Sequence, residues 1–103
     1  MSTPVRQIYI AGPMTGRPQF NYPLFNSAAK QLRAVGHFVM NPAENHAPPG
    51  AVWEDYMRMA IAQLLQCECV AVLPEWETSR GASLEVTIAH RLGMPVMQWH
   101  RYL

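Results

Sequence analysis

Charge is scarce in this chain. Of its 103 residues only 15% are Asp, Glu, Lys or Arg, and eight basic against seven acidic residues leave a net charge of +1. No basic field is available to hold a phosphate backbone non-specifically, so polymeric nucleic acid is excluded as a default partner. Long apolar runs are also missing. The longest, such as Val70-Ala71-Val72-Leu73, fall far short of the ~20 residues that a membrane helix needs, and no membrane role is expected. The first residues, Met1 to Gln7, carry neither the charged nor the apolar region of a secretory signal, which predicts a cytoplasmic protein. Cysteine is limited to Cys67 and Cys69, expected to be reduced, while His37, His46, His90 and His100 are scattered. Two thiols are half of what a structural zinc site takes, so no metal is expected and the pair reads as small thiols at a helix-to-strand junction.

What is present is the composition of a packed globular protein, 50% hydrophobic and 10% aromatic, in a length that suits one domain, residues 1–103. Four runs rich in β-branched or aromatic residues predict strands at Gln7–Ala11, His37–Met40, Cys69–Leu73 and Pro95–Trp99. Three segments between them space their apolar residues as helices do. Leu24–Val35 puts Phe25, Ala28, Ala29 and Leu32 on one face, and Gly36 ends it. Trp53–Gln66 carries a stripe of Tyr56, Met57, Ala60, Ile61, Leu64 and Leu65, and Ala82–Leu92 closes at Gly93 and Pro95. The β-α-β-α-β-α-β order predicts an α/β fold, a three-layer α/β/α sandwich on a small parallel sheet, flavodoxin-like or Rossmann-like. The second helix carries more apolar residues than a narrow stripe buries, which predicts a homodimer or higher homo-oligomer joined through it.

In such a sheet the loops leaving the carboxyl ends of the strands gather at one edge, where ligands bind. Those loops are Gly12–Gln19, Asn41–Val52 and Pro74–Ser79. The first follows Tyr9-Ile10-Ala11 and reads Gly12-Pro13-Met14-Thr15-Gly16-Arg17; its glycines either bring backbone amides close to a ligand or make a tight turn. It has neither the G-x-G-x-x-G spacing nor a Walker ending, so dinucleotide binding and ATP hydrolysis are disfavoured. In the third loop, Ser79 or Thr78 can cap the next helix, Gly81 clears its first turn, and the helix-start amides favour an anion with Arg80 nearby. Glu85 follows about one turn in, where the positive helix end holds a carboxylate ionised. It is either an ordinary dipole-stabilising residue or a nucleophile for a sugar carbon. The Pro-rich stretch Asn41 to Gly50 is a lid candidate, and Glu44, Asn45 and His46 either meet a ligand or solvate the loop. Trp53 and Trp76 flank the same edge and either stack on a base or pack against helices.

The stretches Ile8-Tyr9-Ile10-Ala11-Gly12-Pro13-Met14-Thr15-Gly16, Asn41-Pro42-Ala43-Glu44 and Ser79-Arg80-Gly81-Ala82-Ser83-Leu84-Glu85 resemble the nucleoside 2-deoxyribosyltransferase-like superfamily. The resemblance covers nearly the whole chain and is strongest to a short phage- and prophage-type branch, DUF4406-like. It implies a glutamate that attacks C1′ of a deoxyribose and expels the base, leaving a glycosyl-enzyme that water or a second base resolves. Carried over, Glu85 is the nucleophile, Tyr9 orients it, and Gly12, Pro13, Met14, Gly16, Glu44, Ser79, Arg80 and Gly81 contact the substrate. The transferases have an aspartate six residues before the glutamate, where this sequence has Ser79. That serine, with Gly81, is similar to the 2′-deoxynucleoside 5′-monophosphate N-glycosidases, in which the serine helps bind phosphate; the implied substrate moves to monophosphates and the acceptor to water. One position departs from the pattern. The aspartate that assists protonation of the leaving base, about eight residues ahead of the position of Glu68, falls on Ala60, and Asp55 lies more than one helical turn earlier. Loss of a general acid typically costs about 10²–10⁴-fold in rate. Relatives also complete the pocket with carboxyl-terminal residues, often from a neighbouring subunit, whereas this sequence reads His100-Arg101-Tyr102-Leu103 to its last position.

Two functions of different class follow. The first is an N-glycosidase or deoxyribosyltransferase acting on a small nucleotide or nucleoside without cofactor, favoured by Glu85. The second is a nucleotide-binding module, a sensor or sponge that keeps the pocket without turnover, favoured by Ala60. A flavin binder shares the fold class but would need a Ser/Thr-rich phosphate loop after the first strand, which this sequence lacks.

Overall fold

The computed structural model describes residues 4–103. The two runs that are apolar at every position, β1 (Gln7–Ala11) after its first residue and β3 (Cys69–Val72), lie side by side in the middle of one sheet. Central parallel strands are covered on both faces, so every side chain must tolerate burial. Ile8 to Ala11 and Cys69 to Val72 are all buried. The edges are β2 (Phe38–Met40) and β4 (Val96–Gln98), shorter and partly exposed. The order is β2-β1-β3-β4 with every pairing parallel, Ile8 opposite Cys69 and Ala11 opposite Val72. Parallel neighbours need long crossovers, and α1 (Tyr22–Ala34), α2 (Trp53–Leu65) and α3 (Arg80–Arg91) supply them.

Alternation along the strands sorts the core into two halves. Ile8, Ile10, Cys69, Ala71 and Leu73 face α1, where Phe25, Ala28, Ala29 and Leu32 meet them. Tyr102, from a closing 3-10 turn at Trp99–Tyr102, seals this side and donates its hydroxyl to the Val70 carbonyl at 3.0 Å. Each fully buried Phe, Leu or Ile stabilises the fold by about 1.5–3 kcal/mol. Tyr9, Ala11, Val70 and Val72 face the other way, toward Ala60 and Leu64 of α2 and Ala82, Val86 and Ala89 of α3.

Element boundaries differ from the periodicity by one or two residues, for local reasons. His37 precedes β2 and is buried. Its Nδ1 accepts from the Arg6 N–H at 3.1 Å while Nε2 meets the Tyr102 carbonyl at 2.8 Å, which ties the segment before β1 to the turn that holds Tyr102. α1 begins at Tyr22, two residues earlier than expected, because Pro23 suits a first helical turn. Gly36 follows it at φ +103°, the left-handed conformation expected of a helix terminator. α2 starts where the Asp55 carboxylate accepts from the Val52 N–H at 3.0 Å, and α3 where Ser79 Oγ, not Thr78, accepts from the Ala82 N–H at 3.1 Å. Along α2 only Ala60 and Leu64 are fully buried, and Tyr56 and Leu65 remain exposed. Among the described residues no helix is long and apolar enough to cross a membrane.

From β1 the chain steps outward to β2, then returns across β1 to build β3 on its other side. The loops after β1 and β3 therefore diverge, and the crevice between strands at such a reversal is where open α/β sheets place ligands.

Candidate active site

Glu85 lies in the second turn of α3 and is 5% exposed. From the middle of β1 the buried Tyr9 hydroxyl donates to its Oε2. Burial pushes the Glu85 carboxyl up from an ordinary 4.5 to about 7, against the Tyr9 hydrogen bond, which favours the charged form. This corrects the expectation of a firmly ionised side chain: desolvation outweighs the helix terminus. Burial first, and the Glu85 charge second, hold the Tyr9 hydroxyl well above the usual tyrosine range, so it stays protonated and able to donate. A carboxyl that titrates near neutrality inside an apolar layer is the kind of group that acid, base or nucleophilic chemistry uses.

The first loop is shaped by its glycines and a strained turn. A Cβ at Gly12 would come within 2.8 Å of the Leu73 side chain, so only glycine lets the chain leave β1 alongside β3. The Arg17 N–H donates to the Met14 carbonyl at 3.1 Å across a tight turn in which Gly16 takes φ +80°. Pro13 is buried and its carbonyl accepts from Asn21 Nδ2 at 2.9 Å, while Met14 packs against the α1 half of the core. Gln19, Phe20 and Asn21 all adopt positive φ without a glycine among them, a conformation costing about 1–2 kcal/mol per residue. Arg17, at the end of the first loop, crosses to the third loop and donates to Glu75 Oε1 at 2.9 Å and Thr78 Oγ1 at 3.0 Å. Nothing in the sequence pairs these residues, which stand about sixty positions apart.

At the start of α3 the predicted anion receptors already have partners. Ser79 serves as the helix cap. The Arg80 guanidinium sits over the Trp53 ring, 3.9 Å from its centroid. A Cβ at Gly81 would meet Met57 Sδ at 3.0 Å and Trp53 Nε1 at 3.9 Å, so the first turns of α2 and α3 are in close contact. Trp76 packs against the α2/α3 half of the core.

Glu44 belongs elsewhere. Arg33 of α1 grips its carboxylate at 2.7 and 3.0 Å, Asn41 Nδ2 adds a contact at 3.5 Å, and the Arg33 hydrogen bond holds the carboxyl below its usual range. Its carboxylate is thus turned to α1, across the sheet from α3. Asn45 pairs its amide with Gln63 at 2.7 and 2.9 Å, and His46 is exposed. Ala60 is packed in the apolar layer between α2 and the sheet, and Asp55 is engaged in capping, so neither position supplies an acid to Glu85. Cys69 is buried and Cys67 half-buried. Among the described residues no three His, Cys, Asp or Glu side chains gather as a metal would need. One cleft of about 320 Å³ lies against the amino end of α2, lined by Pro48, Pro49, Gly50, Asp55, Arg58 and Met59, and another of about 460 Å³ runs along β2 past Arg33, His37, Phe38 and Met40. Neither is lined by Tyr9 or Glu85.

The model of the domain of unknown function DUF4406 matches residues 6–98. No curated protein matches the chain. Among solved structures, the 2-deoxyribosyltransferase of Bacillus psychrosaccharolyticus superposes with a TM-score of 0.71 at 23% identity, over 89% of this chain and 70% of that one. A conserved protein from Enterococcus faecalis V583 superposes with a TM-score of 0.64 at 21% identity, over 90% of this chain and 62% of that one. This chain therefore spans less than two thirds of the length of the second protein. The chain belongs to the DUF4406 family, and its four-stranded parallel sandwich is the fold of the 2-deoxyribosyltransferases.

Proposed function

We propose that this protein cleaves the N-glycosidic bond of a small 2′-deoxynucleoside 5′-monophosphate or deoxynucleoside through Glu85. The observation that carries the reading is the buried Tyr9–Glu85 hydrogen bond, which joins β1 to α3 on the α2/α3 face of the sheet. Glu85 attacks C1′, forming an ester, while the C1′–N bond breaks and its electron pair leaves with the base. Tyr9, held in β1, donates to one carboxylate oxygen and aims the other. Water then adds to C1′, loses its proton to solvent and releases the carboxylate; a second base in place of water gives transfer instead of hydrolysis. With Ala60 in the apolar layer, the departing base takes its proton from water, which makes turnover slow. The α3 start, with Ser79, Arg80 and Gly81, receives the 5′-phosphate, and the Gly12–Gly16 turn lies beside the sugar. The unit assembles as a homo-oligomer through α2, where Tyr56 and Leu65 stay exposed.

Only the ionised carboxylate attacks. With Glu85 titrating at about 7, its reactive fraction grows as pH rises from 6 to 8. The test is chromatographic detection of free base after incubating the protein, and its Glu85→Gln variant, with the common deoxynucleosides and their 5′-monophosphates. The expected result is base release by the parent from at least one compound and none by the variant. Equal release by both removes Glu85 from the mechanism. Ala60 favours the second reading, a nucleotide-binding module, and binding without base release is the outcome that selects it.

A further inference from the structure

We infer that the Arg80–Trp53 stack is a placeholder for ligand: the indole face is the platform for the nucleobase, and Arg80 leaves it for the 5′-phosphate when the base arrives. The inference rests on the nucleotide reading above and names how that site distinguishes monophosphates from nucleosides. A planar guanidinium 3.9 Å from the ring centroid occupies the same π surface that a flat heteroaromatic base would use.

The indole is placed for this by α3. Its Nε1 lies 3.9 Å from where a Cβ at residue 81 would stand. Residues 81 and 85 share one helix face, about 6 Å apart along the axis. Trp53 thus stands one turn from Glu85 on the side of the ligand edge. Because a base is bonded directly to C1′, its platform must lie within roughly one ring's width of the nucleophile, and one helical turn is that distance. Glycine at residue 81 is part of the arrangement, since a Cβ there would press on Met57 Sδ at 3.0 Å in the layer that also holds the indole.

The exchange explains why Arg80, next to the helix-start amides, is turned onto a ring instead of toward an anion site. A nucleoside must displace the guanidinium and offers it nothing in return. A monophosphate displaces it and supplies a doubly charged acceptor, so base and phosphate recognition are coupled through one side chain.

Calorimetric titration of the full chain tests this, on a Glu85→Gln background that removes the proposed nucleophile and keeps each ligand intact. The probes are the four 2′-deoxynucleosides and their 5′-monophosphates. Arg80→Gln is expected to tighten the nucleosides about two- to fivefold, the scale of an exposed cation–π contact, and to weaken the monophosphates about tenfold. Trp53→Leu is expected to weaken both classes about tenfold, and Trp53→Phe to restore most of that loss by returning a π face. Should Trp53→Leu fail to fold, Trp53→Phe and Arg80→Gln still carry the test. If the parent binds but Arg80→Gln changes both classes in the same direction, or neither, the exchange is wrong while the nucleotide reading stands. If none of the eight compounds binds the parent, both fall.

Discussion

On the α1 side of the sheet, Ile8, Ile10, Phe25, Leu32 and Leu73 fill the space between strands and helix, and no carboxylate enters. On the α2/α3 side, large side chains give way to Ala11, Ala60, Ala82 and Ala89, and the volume they leave admits a tyrosine hydroxyl and a glutamate carboxyl hydrogen-bonded to each other. The same four strands therefore back two layers with different tasks. The first maximises apolar area removed from water. The second gives up part of that gain to keep an ionisable group in a dry place, as functional sites commonly do.

The contrast can be broken most severely from the α1 side. Phe25→Ala should lower the unfolding free energy by about 3–5 kcal/mol, measured by urea denaturation, with the same loss from pH 4.5 to 8 because burial raises the Cys69 thiol and the Tyr102 hydroxyl, which share its cluster, above that window. The second effect comes from the other layer and depends on pH. Glu85 has its folded titration raised above its unfolded value, so the native state binds more protons between 4.5 and 7 and stability falls as pH rises through that window. Glu85→Gln should match the parent near pH 4.5 and exceed it by ~3 kcal/mol at pH 8, removing the slope. Denaturation midpoints across that range check this, and a parent whose stability is flat from pH 4.5 to 8 would contradict it. The smallest effect sharpens the comparison at the seam: Ser79→Ala removes the α3 cap and should cost about 1 kcal/mol while leaving the pH slope intact.

Much of the fold is legible in the sequence because its signals are local. An unbroken apolar run marks a doubly covered strand, and the spacing of Phe25, Ala28, Ala29 and Leu32 marks the face of α1. Helix starts are less legible in the periodicity: Ser79 announces the cap of α3 by residue type, but the earlier start of α1 at Tyr22 rests on Pro23 at the boundary. The family pattern brought Glu85 and Tyr9 forward together, but the titration of Glu85 depends on packing against a strand 76 positions away, which no local rule contains. The same holds for side chains that found other partners: Arg80 on Trp53, Arg17 on Glu75, and Glu44 on Arg33. The left-handed run Gln19-Phe20-Asn21 was invisible for a different reason, because it contains no glycine to announce it.

The central claim is that Glu85 forms a bond to the sugar. The most direct measurement is peptide mass spectrometry after acid quench of the protein mixed with 2′-deoxynucleoside 5′-monophosphates. The account predicts a deoxyribosyl phosphate ester on the peptide containing Glu85, absent from the Glu85→Gln variant. Base release with the ester on any other residue, or equally in the variant, would contradict it.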